Sequence, residues 1–152
     1  MEKNKKLIPG LPTGFEDRWD NKLYLKKKLL KLIEENFIKY GFEPLETPSF
    51  EISENIGSFL ADDESNPMSD VFTFNDGEKN ITLRYDLSSP LARFVAQNNQ
   101  QLPLPYKRYA IQNVFRNEKA GNARYREFTQ ADCDIVGNVN QAQSNAELCN
   151  LI

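Results

Sequence analysis

The stretch Tyr106–Phe115 is rich in aromatic and β-branched residues, and Phe128–Val136 returns after a short loop of small and basic residues. Two strand-like runs this close in sequence can pair only as an antiparallel hairpin, because a parallel return needs a long crossover. A second hairpin is expected where Val71–Phe74 and Ile81–Arg84 flank the turn-rich run Asn75-Asp76-Gly77-Glu78-Lys79-Asn80. Neither an all-helical bundle nor an all-parallel sheet accommodates these two features. Helical periodicity accompanies them. Leu23, Leu30, Ile33, Phe37 and Tyr40 recur at helical spacing, so a helix is predicted over about 20–40, with Leu29 widening its apolar stripe. At ~1.5 Å per residue it is roughly 30 Å long. Gly41 stands where a left-handed C-terminal cap belongs.

Between these landmarks the signals are weaker. Thr13 and Glu16 have capping-box spacing without an apolar run directly behind them. Phe42 to Phe50 reads as extended, and Pro44 and Pro48 restrict it to an edge or one-sided pairing. Residues 53–69 read as a short helix and a loop. A helix is predicted from Pro90, with Leu91, Phe94 and Val95 on one face, and a last one from Ala146 to the end of the chain. The class is therefore α+β: a mixed, mostly antiparallel sheet flanked by helices.

Composition excludes several chemistries. The 152 residues contain no histidine, which removes histidine bases, nucleophile pairs and metal ligands. Cys133 and Cys149 have no metal or redox spacing. The net charge of −3 supplies no global basic field for nucleic acid. No apolar run approaches a membrane span, and no signal peptide is evident, so a cytoplasmic protein without a membrane partner is expected. Chemistry is left to carboxylates, arginines, lysines, hydroxyls and backbone amides.

The hairpin carries the best candidates. Arg116 and Glu118 end its first strand, Arg124 and Arg126 lie in its loop, and Phe128, Gln130, Asp132 and Asp134 alternate along the return. A guanidinium at a hairpin mouth can grip a phosphate through its forked donors. Alone, Arg116 reads equally as a surface cation paired with Glu118, and Phe128 as a core residue. Asp86 and Ser88 before Pro90 read equally as helix caps. Gln130, Asp132 and Asp134 share one face by period two unless a bulge intervenes. Cys133 faces the other way, as a buried and inert thiol. Arg84 reads as structural, or as a partner for a carboxylate.

Taken together, these runs resemble a known family. Phe115-Arg-Asn-Glu118 with Ala123-Arg-Tyr-Arg-Glu-Phe128 is similar to motif 2 of class II aminoacyl-tRNA synthetases. Gln130-Ala-Asp-Cys-Asp134-Ile-Val-Gly137, Leu83-Arg-Tyr-Asp86-Leu-Ser88 and Pro90-Leu-Ala-Arg93 resemble the histidyl-tRNA synthetase branch. Glu46-Thr-Pro48-Ser-Phe50-Glu51 resembles motif 1, and Gly14-Phe-Glu-Asp17 the N-terminal Gly-x-x-Asp. Motif 1 then spans about 20–51 and motif 2 about 106–137. The chain departs from the pattern at Ala120 and Ala123, where relatives often carry proline and glycine, and at Asp86, where many carry glutamate.

The resemblance implies ATP-dependent ligation of L-histidine to tRNA(His) through histidyl-adenylate, with Mg2+ accompanying ATP. It assigns ATP to Arg116, Glu118, Arg124, Arg126 and Phe128. Arg116 holds the α-phosphate and serves as the catalytic residue, Glu118 lies near the adenine end, and Phe128 stacks on the ring. Arg124 and Arg126 contact phosphates or the tRNA acceptor end. Histidine falls to Asp86, Leu87, Ser88, Arg116, Gln130 and Asp134. Asp86, Ser88 and Gln130 hold its ammonium, and Asp134 accepts from its imidazole. A homodimer through motif 1 is implied. Motif 3, the histidine-specific arginine and the anticodon-binding domain are expected beyond Ile152, so this chain alone is expected to be inactive as the front part of a catalytic domain. The runner-up is the histidine-sensing regulatory subunit of ATP phosphoribosyltransferase, which resembles the same domain and has no need of the Glu118 and Arg124–Arg126 grip.

Overall fold

The computed structural model describes residues 8–57 and 70–151. The loop expected within 53–69 and the first residues of the N-terminal arm lie outside them. Helix α1 spans Asp20–Lys39. It is followed by β1 (Glu43–Pro44), β2 (Phe50–Ile52), α2 (Ser53–Gly57), β3 (Thr73–Asn75) and β4 (Asn80–Leu83). Then come α3 (Ser88–Asn98), β5 (Tyr106–Phe115), β6 (Glu127–Val136) and α4 (Gln141–Leu151). One sheet has the order β1-β5-β6 and the other β2-β4-β3. Only the β1–β5 pairing is parallel among the described strands, so the α+β, mostly antiparallel expectation holds.

The stripe on α1 is as the periodicity requires. Phe37 is buried, and Leu23, Leu30, Ile33 and Tyr40 are partly so. Leu29 does not widen it, since it is 57% exposed on the solvent side. The helix ends in a Schellman cap. Gly41 has φ +77°, its N–H donates to the Ile38 carbonyl at 2.9 Å, and the Phe42 N–H donates to that of Phe37 at 3.0 Å. The accompanying apolar contact is Phe37 against Phe42, with ring centroids 6.3 Å apart.

Helix α1 begins at Asp20 as expected, behind Trp19, whose side chain makes no cap, and the Thr13–Glu16 spacing starts no helix. Two helix starts differ from the sequence reading. Helix α3 begins at Ser88 rather than Pro90, because Asp86 Oδ1 accepts the Ser89 N–H at 2.9 Å and caps it. Proline then sits in the first turn, where its missing N–H costs nothing. Helix α4 begins at Gln141 rather than Ala146, with Asn140 Oδ1 accepting the Gln143 N–H at 3.2 Å.

The β5–β6 register runs without a bulge from Tyr106 opposite Val136 to Phe115 opposite Glu127. Odd positions on both strands therefore face α1 and α4, and Tyr109, Ile111, Cys133 and Ile135 pack with Phe37, Phe42 and Leu151. Even positions face the other way, where Ala110, Val114 and Phe128 meet Leu87. Pro44 is tolerated because β1 is an edge strand.

Arg84 joins the two sheets. It is 4% exposed, and its guanidinium donates to the carbonyls of Asn113 at 2.6 Å and Thr47 at 2.7 Å. Its backbone bridges as well, accepting from the Phe115 N–H and donating to Ser49. Its hydrogen-bond acceptors are carbonyls, as the structural reading requires, and the Glu46 and Glu51 carboxylates act on it through charge. Removing this cation forfeits two charge-assisted hydrogen bonds and strands buried carbonyls. Arg84→Met is expected to cost about 3 kcal/mol or more in urea denaturation of the intact protein; a change below about 0.5 kcal/mol, the range of an ordinary surface substitution, would contradict this role.

Candidate functional site

The even face of the hairpin is the candidate site. Arg108, Ala110, Gln112 and Val114 on β5 lie across from Asp134, Asp132, Gln130 and Phe128 on β6. The segment Tyr85-Asp86-Leu87 crosses this face and is held near each end by an arginine. Arg116 Nε donates to the Tyr85 carbonyl at 3.3 Å, and Arg108 Nη2 donates to the Leu87 carbonyl at 3.1 Å.

At one end, the Arg116 guanidinium lies 4.4 Å from the centroid of the Tyr85 ring and 5.1 Å from that of Phe128. It is thus held in place by two aromatic faces. Phe128 packs on the Leu87–Val114 cluster, as the core reading requires, and presents a ring face to Arg116. Glu118 accepts from the Tyr85 hydroxyl at 2.7 Å and is ion-paired with Arg124. Arg124 takes the place that the surface-pair reading gave to Arg116. The Tyr85 hydrogen bond, and secondarily Arg124, hold the Glu118 carboxyl below its ordinary range. Burial, reinforced by Glu118, raises the Tyr85 phenol.

The loop is braced from behind. Arg126 Nε donates to the Glu118 carbonyl at 2.9 Å, so this guanidinium is tied to the loop's own backbone. The Arg126 N–H donates to the Gly14 carbonyl at 2.7 Å. A Cβ at Gly14, where φ is +87°, would sit 2.7 Å from Arg126 Cγ, so the Gly-x-x-Asp arm needs glycine at its contact with the loop. Arg18 adds a bond to the Glu127 carbonyl at 2.9 Å. Ala123 adopts φ +59°, a left-handed conformation that explains why glycine suits its position.

At the other end, Gln130, Asp132 and Asp134 do share one face. Gln130 Nε2 donates to both Asp132 oxygens, at 2.9 and 3.1 Å, while its Oε1 is buried without a partner. Asp134 Oδ2 lies 2.6 Å from Arg108 Nη2. Desolvation raises the Asp134 carboxyl above its ordinary range; Arg108 opposes this and Asp132 adds to it. Asp86 caps α3 and Ser88 is exposed at its first turn. Leu87 is 3% exposed with its side chain in the core, so only its backbone is available to the site. Cys133 is partly buried on the opposite face, and burial raises its thiol.

Tyr85 and Arg108 were missed by the sequence reading. Nothing in a single sequence marks Tyr85. Arg108 had a signal: once the loop length sets the register, it falls directly across from Asp134.

Residues 16–150 match the family described as "tRNA synthetases class II core domain (F)". The chain belongs to the class II tRNA synthetase core-domain family. It is 80% identical over 152 residues to the histidine–tRNA ligase of Pelagibacter ubique (strain HTCC1062), covering 100% of this chain and 33% of the relative. It is 44% identical over 149 residues to that of Rhodopseudomonas palustris (strain BisB18), covering 97% of this chain and 28% of the relative. The chain thus spans about a third of the length of the curated relatives it matches. Among solved structures, histidyl-tRNA synthetase from Nostoc sp. PCC 7120 superposes with a TM-score of 0.74 at 28% identity, over 93% of this chain and 33% of that one. An ATP phosphoribosyltransferase regulatory subunit/histidyl-tRNA synthetase from Bacillus halodurans C gives 0.80 at 26%, over 97% and 37%. These class II core relatives support the expected fold, and no described helix is long and apolar enough to cross a membrane.

The Tyr85–Glu118 bond has a measurable consequence. A carboxyl with a lowered folded value contributes stability above its ordinary range and loses it as pH falls through the lowered value. In Tyr85→Phe the Glu118 carboxyl should titrate at higher pH than in the parent, followed by side-chain carboxyl NMR; an unmoved titration would show that Tyr85 does not hold it.

Proposed function

We propose that this chain is the front part of a histidine–tRNA ligase catalytic domain and binds ATP and L-histidine side by side on the even face of the β5–β6 hairpin. The observation that carries the proposal is the single unbroken face along which Arg116, Phe128, Gln130 and Asp134 follow one another, with Tyr85–Ser88 laid across it. The 80% identity to a named histidine–tRNA ligase supports it.

Each assignment has a chemical rationale. Arg116, steadied by Tyr85 and Phe128, meets the α-phosphate and offsets charge that develops as the histidine carboxylate attacks. A carboxylate–phosphorus bond forms, the bond to the departing pyrophosphate breaks, and histidyl-adenylate results. Arg116 also lies against that carboxylate. Glu118 and Phe128 serve the adenine. Arg124, 64% exposed at its side chain, is free to turn toward phosphates or the tRNA acceptor end, with Arg126 behind it. Magnesium arrives with ATP as part of the substrate. The unpartnered Gln130 Oε1, with Asp86 and Ser88, takes the substrate ammonium. Leu87 contributes through its backbone. Asp134 accepts the imidazole N–H, a task suited to an acceptor-only group. Motif 3 and the anticodon-binding domain belong to the remaining length of such a ligase, which works in the cytoplasm as a homodimer through motif 1.

The regulatory-subunit reading has one point in its favour, the name borne by the Bacillus halodurans neighbour. The Arg116–Tyr85–Glu118–Arg124 cluster argues against it, because a histidine sensor has no use for a nucleotide grip.

The full-length protein should catalyse histidine-dependent ATP–pyrophosphate exchange. Arg116→Ala should lower that exchange by about 10²–10³-fold, the range seen when one transition-state donor is removed, with the circular dichroism spectrum unchanged. Histidine binding without any exchange in the parent protein would favour the regulatory subunit.

A further inference from the structure

Arg108 is 0% exposed, a guanidinium wholly inside the protein. Its Nη2 reaches both the Leu87 carbonyl, at 3.1 Å, and Asp134 Oδ2, at 2.6 Å. Its Nε and Nη1 are buried without hydrogen-bond partners. As a filler of space this is a poor choice. A buried cation with unpaired N–H groups is costly, and an apolar side chain of similar volume fills such a position at lower cost. The orphaned groups call for an explanation other than packing.

The position suggests one. Leu87 lies in the run that carries Asp86 and Ser88, on one side of the proposed histidine pocket, and Asp134 lies on the other. Arg108 is attached to both. The contact to Asp134 is an ion pair without an aligned hydrogen bond, since Oδ2 has no hydrogen-bond partner of acceptable geometry. Charge therefore holds the carboxylate while its lone pairs stay available to another donor.

We propose that Arg108 is a positioning residue for the amino-acid substrate: it joins the Asp134 carboxylate to the Leu87 carbonyl and so sets the separation and charge state of the two walls that receive histidine. The inference rests on the reading that Asp134 and the Asp86–Ser88 run touch histidine. Arg108 does not touch substrate; it acts through Asp134 and through the backbone that leads into α3. Lysine cannot replace it fully, because its ammonium is a compact, strongly hydrated charge on a different stem and does not reproduce the reach and burial of Nη2.

The test uses the full-length protein and steady-state ATP–pyrophosphate exchange, varying histidine and ATP separately. Arg108→Met should raise KM for histidine by roughly ten- to a hundredfold, with KM for ATP unchanged. Arg108→Lys should fall between Met and the parent. The double variant Arg108→Met/Asp134→Asn should be no worse for histidine than Asp134→Asn alone, because one residue acts through the other. A histidine KM unchanged in Arg108→Met, an equal rise in both KM values, or additive effects in the double variant would each overturn the proposal. If the Met variant does not fold, Arg108→Lys decides, and a parental histidine KM would overturn it. If Asp134→Asn itself leaves the histidine KM unchanged, the underlying assignment of Asp134 fails along with this inference. An Asp134 effect without an Arg108 effect removes only the inference.

Discussion

The unbroken register between β5 and β6 is the constraint on which the rest depends. With a side-chain period of two, it turns the odd residues toward the helix-backed face and the even residues toward the face of the candidate site. A slip of one residue in β6 would drive Gln130, Asp132 and Asp134 against Phe37, Phe42 and Leu151. The cost of burying those groups among aromatic rings is far larger than any turn preference in the loop. The apolar odd positions, which take no part in chemistry, therefore determine where the chemistry sits. Aromatic contacts add to this, with Phe37 stacked on Tyr109 at 5.3 Å between centroids.

The register alone makes only a surface. A site needs a second wall, and two arginines attach it. Arg84 clamps the end of β4 to the β1–β2 connection and to β5 through backbone carbonyls. Arg108 then catches the Leu87 carbonyl four residues along the β5 direction from Gln112, which is itself bonded to Thr47 through both its amide atoms. The Tyr85–Leu87 segment has no ladder of its own to fix its path. Carbonyl groups accepting from buried guanidiniums replace the missing ladder, and this is why cations are found in positions that a core would give to leucine.

Long periodic elements were legible because each repeats its signal many times, as in the stripe from Leu23 to Tyr40 and the β5–β6 hairpin. The Gly41 cap and the β3–β4 hairpin were legible instead from their turn residues, with the strands shifted by one or two positions. Short signals were harder to read. Asp86 was one of two candidate roles at a helix start, and only the Ser89 bond shows that it caps α3. Asn140 caps α4 ahead of a run with little amphipathic pattern, so the helix was expected to begin later than it does. Leu29 failed for a different reason: helical spacing identifies the centre of an apolar face better than its margin. The even-face placement of Gln130, Asp132 and Asp134 followed from alternation, whereas Tyr85 meets Arg116 and Glu118 through tertiary folding that no local pattern encodes.

The two ends of the site differ in how firmly they are built, and the difference suits the proposed substrates. On the proposed nucleotide side, Arg124 is largely exposed and its pair with Glu118 is of the kind worth at most about 1 kcal/mol. Such a pair is readily exchanged for a phosphate, whose bonds to arginine are charge-assisted and bidentate. On the proposed amino-acid side, Arg108 is fully buried, while the Asp134 side chain is 35% exposed with its Oδ2 turned inward to the guanidinium. Breaking that pair would leave an unpaired buried charge, so it resists rearrangement. An adaptable grip tolerates a ligand that arrives, reacts and leaves as pyrophosphate. A wall fixed by a buried guanidinium would discriminate instead, because an amino acid that leaves its polar groups unpaired is rejected far more strongly than one that merely fits loosely. The proposed division of labour along one hairpin thus follows from where the guanidinium sits: the same arginine–carboxylate chemistry is exchangeable where the arginine is exposed and fixed where it is buried.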